Sequence, residues 1–442
     1  MDNRSEASRA ALGILGTRLS VYPFKIVVAL VVAPLLGTAD YGIYSFLLLP
    51  GSVFMPLLFF GLGQGIRYNI SSGRYRAKDV AISALAAGLF HGALNGGLVG
   101  LLWHLGFLGE TGDAITLGLL LPILFVMPLQ GAALLMNRVM VGDSWFTAMN
   151  AFILLNNLFP PVFLTIFVIV AGFGVSGAAA TIVIANGLMG LISVGMVVVR
   201  YRPRIRIHRR FLMESYSYGL RAWVGSLASR TTMRLDQFVL GFVRPPEALG
   251  VYRIAVLIGE LLWMIPDAVA LPLFNRVSKT VSGDDRHKLV SRCHRVLIVV
   301  VAGLAVVLAA ACWWLIPAFM GAEFTDARWI LLILMPGTVS LVTSRLLSMY
   351  FSGSGQPEKS SSVEVVGAVV SIAGYLFFIP ILGIAGAAIA TSIAYIVLAA
   401  TAIAIFRRTI RPANTDLYRT RRDDIVWAKE LIRDSFAIWA RR

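Results

Sequence analysis

Long apolar runs leave this chain few folds to choose from. Windows of about 20 mostly apolar residues, the length a helix needs to cross a hydrocarbon core, fall at residues 11–36, 42–66, 79–103, 114–137, 145–171, 177–199, 216–242, 249–274, 296–317, 328–351, 361–380 and 384–406. Backbone groups in lipid must be satisfied within their own segment, and these runs are far longer than barrel strands, so helices are expected. The predicted fold class is all-α integral membrane, with 12 transmembrane helices. Only 14% of the 442 residues are charged, against about 25% in a soluble domain.

Lysine and arginine number 39 against 23 acidic residues, and their placement sets an orientation. With the N-terminus in the cytoplasm, thirty fall on cytoplasmic connections and tails, and only Arg244 and Arg328 on the opposite side. Both termini are therefore expected inside. The basic balance reads as an orientation signal plus attraction to anionic lipid, so no nucleic-acid partner is expected. The first 20 residues read as a cytoplasmic lead into span 1, since they lack a short apolar core followed by a cleavage site. The outer loops, such as LGTAD and RPPEAL, are too short for an external domain. The tail segment DDIVWAKELIRDSFAIWARR spaces apolar residues helically among basic ones, which fits either an amphipathic helix on the inner leaflet or a solvated tail. Cys293, read as lying in a basic loop, and Cys312, in an apolar run, are not expected to pair.

The chain also echoes itself. Gly42-Ile43-Tyr44 falls on Gly250-Val251-Tyr252 at an offset of 208, and GVSGAAAT at 174–181 falls on GIAGAAIAT at 383–391 at an offset of 209. Six spans per copy is an even number, so the copies share one orientation and form a parallel repeat about an axis along the membrane normal. The expected units are 1–205, an N-terminal six-helix bundle, 206–407, a C-terminal one, and 408–442, a basic tail. The competing reading is that Gly-Ala segments resemble one another in any tightly packed membrane protein.

Ionisable residues inside spans are functional candidates by default. Arg18 and Lys25 lie seven apart on span 1, and Arg230 and Arg234 four apart on span 7. Spans 1 and 7 correspond in the repeat, so each half offers a cationic pair. Arg253, Glu260 and Asp267 follow at seven-residue steps on span 8, and Arg345 lies on span 10. Seven intramembrane cations, including Arg221, face three acids, Asp236, Glu260 and Asp267. Pairing leaves cations unmatched, and the planar guanidinium fork suits phosphate or diphosphate. The structural alternative is that Arg234 and Asp236 pair with Glu260 and Arg253 to hold spans 7 and 8 together. His91, alone on span 3, is read as a packed polar contact.

The stretch from Arg230 to Lys279 resembles helices seven and eight of the polysaccharide-transport branch of the multidrug/oligosaccharidyl-lipid/polysaccharide (MOP) flippase superfamily. The carrying residues are Leu235-Asp236-Gln237, Leu249-Gly250-Val251-Tyr252, Ile265-Pro266 and Leu273-Phe274-Asn275-Arg276-Val277-Ser278. LGTADYGIYSF, FMGAEFTDA, GSGQP and GIAGAAIAT extend the match over nearly the whole chain. The resemblance implies a V-shaped pair of six-helix bundles in a bacterial inner membrane. It implies a flippase for undecaprenyl-diphosphate-linked oligosaccharide, serving O-antigen, exopolysaccharide or capsule assembly beside a polysaccharide polymerase and chain-length or export proteins. By span and face it places Arg18, Lys25, Arg230, Arg234, Arg253 and Arg345 in a cationic cavity. Asp236, Glu260 and Asp267 become candidates for a coupling ion or gate.

No catalytic residue, metal or cofactor is expected, because translocation needs no covalent step. ATP-driven transport within this chain is excluded by the lack of G-x-x-x-x-G-K-[ST]. A membrane polymerase or ligase would need a larger outer loop with catalytic groups. A drug exporter would favour acidic cavities, and peptidoglycan-precursor flippases of the superfamily commonly add two helices. Hinges are expected at Gly241, Pro245-Pro246 and Pro266.

Overall fold

A computed structural model describes the backbone of residues 2–267, 269, 273, 277, 283–409 and 417. It describes the side chains of residue 24 and of those positions from 26 onward, except 222, 283 and 284. The side chains of Arg18 and Lys25, and the tail beyond Thr409 apart from Leu417, lie outside the described residues.

Every regular element described is helical. In chain order these are α1 (Asp2–Leu47), a π-turn (Pro50–Phe54), α2 (Met55–Leu58), α3 (Leu62–Ser71), α4 (Ala77–His104), α5 (Gly109–Asp113), α6 (Leu117–Gly142) and α7 (Phe146–Leu164). A second π-turn (Thr165–Val170), α8 (Gly174–Tyr201), α9 (Arg209–Val243) and α10 (Pro246–Glu260) follow. The chain continues through α11 (Gly283–Met320), α12 (Ala327–Gly353) and α13 (Pro357–Thr409).

Among the described residues, nine helices are long and apolar enough to cross a membrane, where the sequence windows number twelve. The difference has physical causes. Windows on either side of a sharp glycine bend run on as one helix: α1 turns at Gly37 (φ 75, ψ 171) and α13 at Gly383 (φ 58, ψ −128). At about 1.5 Å per residue, a straight α13 would be far longer than a bilayer is thick. The charge carried by α9 removes it from any test on apolarity alone.

Two expectations about boundaries are corrected. Cys293 is not in a loop. It is buried inside α11, because the basic stretch before the apolar window keeps Val290, Cys293 and Leu297 on one buried face. Cys312, in the apolar part of α11, is likewise buried. The second window, 42–66, is not one helix. It breaks at the π-turn and again at Phe60 (φ 46) and Gly61 (φ 74), where the left-handed backbone restarts the chain as α3. Among the described residues, these positions, Gly37, Gly383, the π-turn at Thr165–Val170, the 3₁₀ turn at Leu261–Trp263 and the extended Arg244–Pro245 link between α9 and α10 all interrupt regular helix. Gly241 is instead helical and packed against the Phe46 ring.

Contacts between the N- and C-terminal spans run along both ends of the bundle. At the sparsely charged end, a Cβ on Gly42 would overlap the carbonyl of Pro246, and one on Gly250 would overlap that of Thr38. Each pair is related by the 208-residue offset, so the contact is reciprocal, as a two-fold-related pair requires. Tyr41 meets Phe324 edge-on at 6.4 Å, and Thr111 Oγ1 donates to the Arg244 carbonyl (3.1 Å). At the basic end α3 lies against α9. Asn69 Nδ2 donates to Ser215 Oγ (2.9 Å), Gln64 Nε2 to Ser226 Oγ (3.1 Å), and Trp223 Nε1 to the Leu57 carbonyl (3.1 Å). Tyr68 and Tyr218 stack at 4.0 Å. Gly61 faces Gly219 and Gly65 faces Ser215 with no space for a side chain. Substituting Gly65→Ala is therefore expected to cost about 1–3 kcal/mol by overpacking. It should read as a lower melting temperature in detergent, and unchanged melting would show that α3 and α9 separate freely.

Candidate functional site

The charged span residues divide into three groups once side chains are placed. The first is an ion-pair knot. Arg234 Nη1 reaches Glu260 Oε1 at 2.7 Å, and Arg253 Nη1 approaches the same oxygen at 3.6 Å. All three side chains are largely buried, at 28%, 15% and 17% exposure for Arg234, Glu260 and Arg253. Arg253 also lies within coulombic reach of Tyr41 and Tyr44 on α1. Asp236 sits beside this knot but turns away from it. Its Oδ2 accepts from Tyr252 OH (2.6 Å) and its Oδ1 from the Gln237 N–H (2.8 Å). Tyr252 and Tyr375 share Thr391 Oγ1, and Tyr375 OH donates to the Thr232 carbonyl. Asp236 is thus held in a buried hydroxyl network of the C-terminal spans.

The second group centres on Arg345. Its Nη1 lies 3.4 Å from Asp267 Oδ1, and its guanidinium lies 5.8 Å from the Trp263 ring. Glu364 on α13 is within coulombic reach of it. Two readings from spacing are corrected here. Arg253 and Glu260, seven apart, do meet, but among the described ion pairs Asp267, beyond the 3₁₀ turn at Leu261–Trp263, does not join them. Asp267 pairs across to α12 instead. The tally of seven cations against three acids also omits Glu364, an acid inside the 361–380 window.

The third group keeps no acid. Arg230 is exposed, and its Nη1 points at the Ser52 carbonyl across the halves at 3.5 Å. Arg138, on α6, lays its stem over Gly63 of α3, where a Cβ would meet its Cγ at 3.1 Å. Arg138 feels the charges of Arg67 and Arg230, and Arg230 that of Arg234. Arg67, Arg138 and Arg230 make no ion pair among the described residues. Arg67 and Arg138 were counted from sequence only as orientation charges, since each sits one position past an apolar window. The one available signal was that closeness to a span end. Arg221 is exposed near the basic end of α9.

Adjoining this cluster is a cavity of about 500 Å³, lined by α1, the first π-turn, α6, α7 and α8 and closed by Arg234, Gln237, Arg253 and Leu257 of the C-terminal spans. His91 is buried, with Nδ1 at 2.8 Å from the Ala87 carbonyl and Nε2 at 3.0 Å from Tyr216 OH, so it links α4 to α9.

An all-helical multi-pass fold with charged groups and a cavity between two sets of spans is the architecture of a membrane transporter. Solved MOP-superfamily transporters share it. One described as "Inward-facing conformation of a multidrug resistance MATE family transporter of the MOP superfamily" matches at TM-score 0.70 and 18% identity, covering 89% of this chain and 98% of that one. "Lipid II flippase MurJ, inward closed conformation" matches at 0.71 and 14% identity, covering 91% and 89%. A MOP-superfamily transporter from Pyrococcus furiosus, whose description reads "Reverse polarity of binding pocket suggests different function", matches at 0.59 and 17% identity, covering 91% and 94%. The chain belongs to the family described as "Polysaccharide biosynthesis protein", whose model matches residues 31–328. A curated relative, "Probable flippase AglR" of Haloferax volcanii, is 26% identical over 200 residues, 41% of this chain and 40% of the relative's own length.

Proposed function

We propose that the protein is a flippase that moves an undecaprenyl-diphosphate-linked oligosaccharide from the cytoplasmic to the outer leaflet of a bacterial inner membrane. The observation that carries this reading is the cluster of Arg67, Arg138 and Arg230, three cations between helices with no acid among the described residues. Like charges held close together repel unless water or a ligand meets them, and guanidinium groups from three helices suit a diphosphate. Family membership and the flippase named in the curated relative support the same reading.

In this proposal residues 1–205 and 206–407 are the two rocking bundles of a twelve-span protein with both termini in the cytoplasm. Arg18 and Lys25 join the cationic surface from span 1. Arg230 and its neighbours draw in the diphosphate while the lipid chain stays in the bilayer. The knot of Arg234, Arg253 and Glu260 keeps the helices of the C-terminal bundle together, and Asp236 or Asp267 responds to a coupling ion. Rocking then breaks the reciprocal contact at Gly42 and Gly250 and exposes the head group. A polymerase and chain-length or export proteins receive the product. No bond of the substrate is made or broken, so the protein is not an enzyme. Export of a drug is the second reading, prompted by the multidrug transporter of similar fold. The acid-free arginine cluster opposes it, because a cationic drug needs the reverse charge.

The test is deletion of the gene in its host, with wild type returned as control. Loss of surface polysaccharide, with lipid-linked oligosaccharide accumulating on the cytoplasmic face, is expected. Surface polymer unchanged by deletion would sink the reading.

A further inference from the structure

A second cavity, of about 550 Å³, lies between α11 and α12 on the outside of the C-terminal spans. Ala302, Ala305, Ala309 and Ala310 line it from α11, and Pro336 and Val339 from α12. These small side chains leave a groove where longer ones would pack the two helices together. Ala310 and Pro336 are exposed, so the groove is open on the side that faces the bilayer. It runs along α11 from Ala302 to Trp313. At about 1.5 Å per residue that is roughly 16 Å, close to half of a hydrocarbon core of about 30 Å. At Trp313 the groove reaches Arg328, one of the two cations that the sequence puts on the sparsely charged side. The Arg328 guanidinium lies 4.4 Å from the Trp313 ring and 5.9 Å from the Trp329 ring. Rings attract the cation but offer its N–H groups no oxygen. Arg328 Nε is buried and has no hydrogen-bond partner among the described residues, and Arg328 makes no ion pair among them. The acids just before it do not meet it: Glu323 Oε2 lies beside Gly37 of α1, and Asp326 is exposed. A buried donor left without a partner favours a ligand that brings acceptors.

We propose that this groove binds one anionic phospholipid from the leaflet on the sparsely charged side, with an acyl chain along the alanines of α11 and its phosphate on Arg328. Charge and length both select that occupant. The guanidinium fork suits a phosphate. An ammonium on the same head group would meet Arg328 as a like charge, so phosphatidylglycerol is favoured over phosphatidylethanolamine. Trp314 and Trp329, 76% and 52% exposed, set the level of the head groups, where indole rings collect. From that level a single acyl chain reaches the middle of the bilayer, which is where the groove ends, at Ala302 and Val339. A helix from another protein or a second copy would cross both leaflets and has no reason to match half of one. The groove shares no lining residue with the cavity closed by Arg234 and Arg253. The lipid is therefore a resident ligand of the α11–α12 pair and not cargo, and the inference stands apart from the flippase reading.

The experiment places purified full-length protein in phosphatidylcholine nanodiscs with a trace of phosphatidylglycerol that carries a photoreactive group midway along one acyl chain. After irradiation, adducts are mapped by peptide mass spectrometry. Wild type is expected to be labelled on residues 302–313 and 332–339, and about tenfold less by the same probe built on phosphatidylethanolamine. Arg328→Gln should cut phosphatidylglycerol labelling there about tenfold, the worth of one charge-assisted contact. Its labelling at the basic end of the bundle should stay unchanged, which shows that it folds. Ala310→Phe, which fills the groove from its open side, should cut labelling by both probes. Val307→Phe adds the same ring to an exposed position of α11 outside the groove and should leave labelling as in wild type. Equal labelling by the two probes, or wild-type labelling of Arg328→Gln, overturns the phosphate site. A wild-type groove without adducts overturns the proposal too, and means that another helix, such as one from a second copy, covers this face.

Discussion

Reversing the charge at Arg230 (Arg230→Glu) is expected to reduce surface polysaccharide to the level of a deletion strain while the protein stays folded. Arg230 belongs to no ion pair among the described residues, and its side chain is exposed between the halves. Its loss should change stability by no more than about 0.5 kcal/mol, as for other surface changes away from buried networks. Its effect on a bound diphosphate is larger. Each charge-assisted hydrogen bond contributes on the order of 1.5–3 kcal/mol, so losing one already means a factor of roughly ten to a hundred, and an acid beside Arg138 adds repulsion. Arg138→Gln should show the same loss, since Arg138 shares the space. The readout is polymer on the cell surface at matched membrane levels, with melting temperature as control. Normal export by Arg230→Glu would mean that the cluster is met by water and not by substrate.

The opposite signature is expected at Glu260. Replacing it by glutamine leaves Arg234 and Arg253 facing each other in a largely buried site without their shared counter-ion. Breaking a buried pair from one side costs about 3–5 kcal/mol, because an uncompensated charge remains. Glu260→Gln is therefore expected to show low membrane levels and early melting in detergent. Combining it with Arg234→Gln should cost less than the sum of the two single changes, since the pair is lost together. If Glu260→Gln melts like wild type, water reaches the knot and it holds nothing together. The two arginines four residues apart on α9 thus differ in kind, with Arg230 facing the space between the halves and Arg234 anchoring a helix pair.

Much of this architecture was open to a reader of the chain alone. Apolar windows marked the helices because a bilayer admits no other use for runs of that length. Gly42 and Gly250, which the repeat offset sets side by side in sequence, each meet a backbone carbonyl of the other half, where only a small residue fits. Residues 230–279 marked the superfamily, and the match over residues 31–328 agrees with it. Spacing on one helix was less informative. It grouped Asp267 with Arg253 and Glu260, whereas the ion pair that Asp267 makes is with Arg345 on α12. It paired Arg230 with Arg234 and passed over Glu364, Arg67 and Arg138.

The amino-acid order determines the membrane class, the helices and the family. Those depend on composition within one segment and on short local patterns. Which charges neutralise one another was settled only by packing. Arg234 finds Glu260 26 residues away, Arg345 finds Asp267 78 residues away, and Arg230 points at a carbonyl 178 residues away. Coulomb energy depends on distance in space and on the water excluded around each pair. Neither quantity exists until the helices have met.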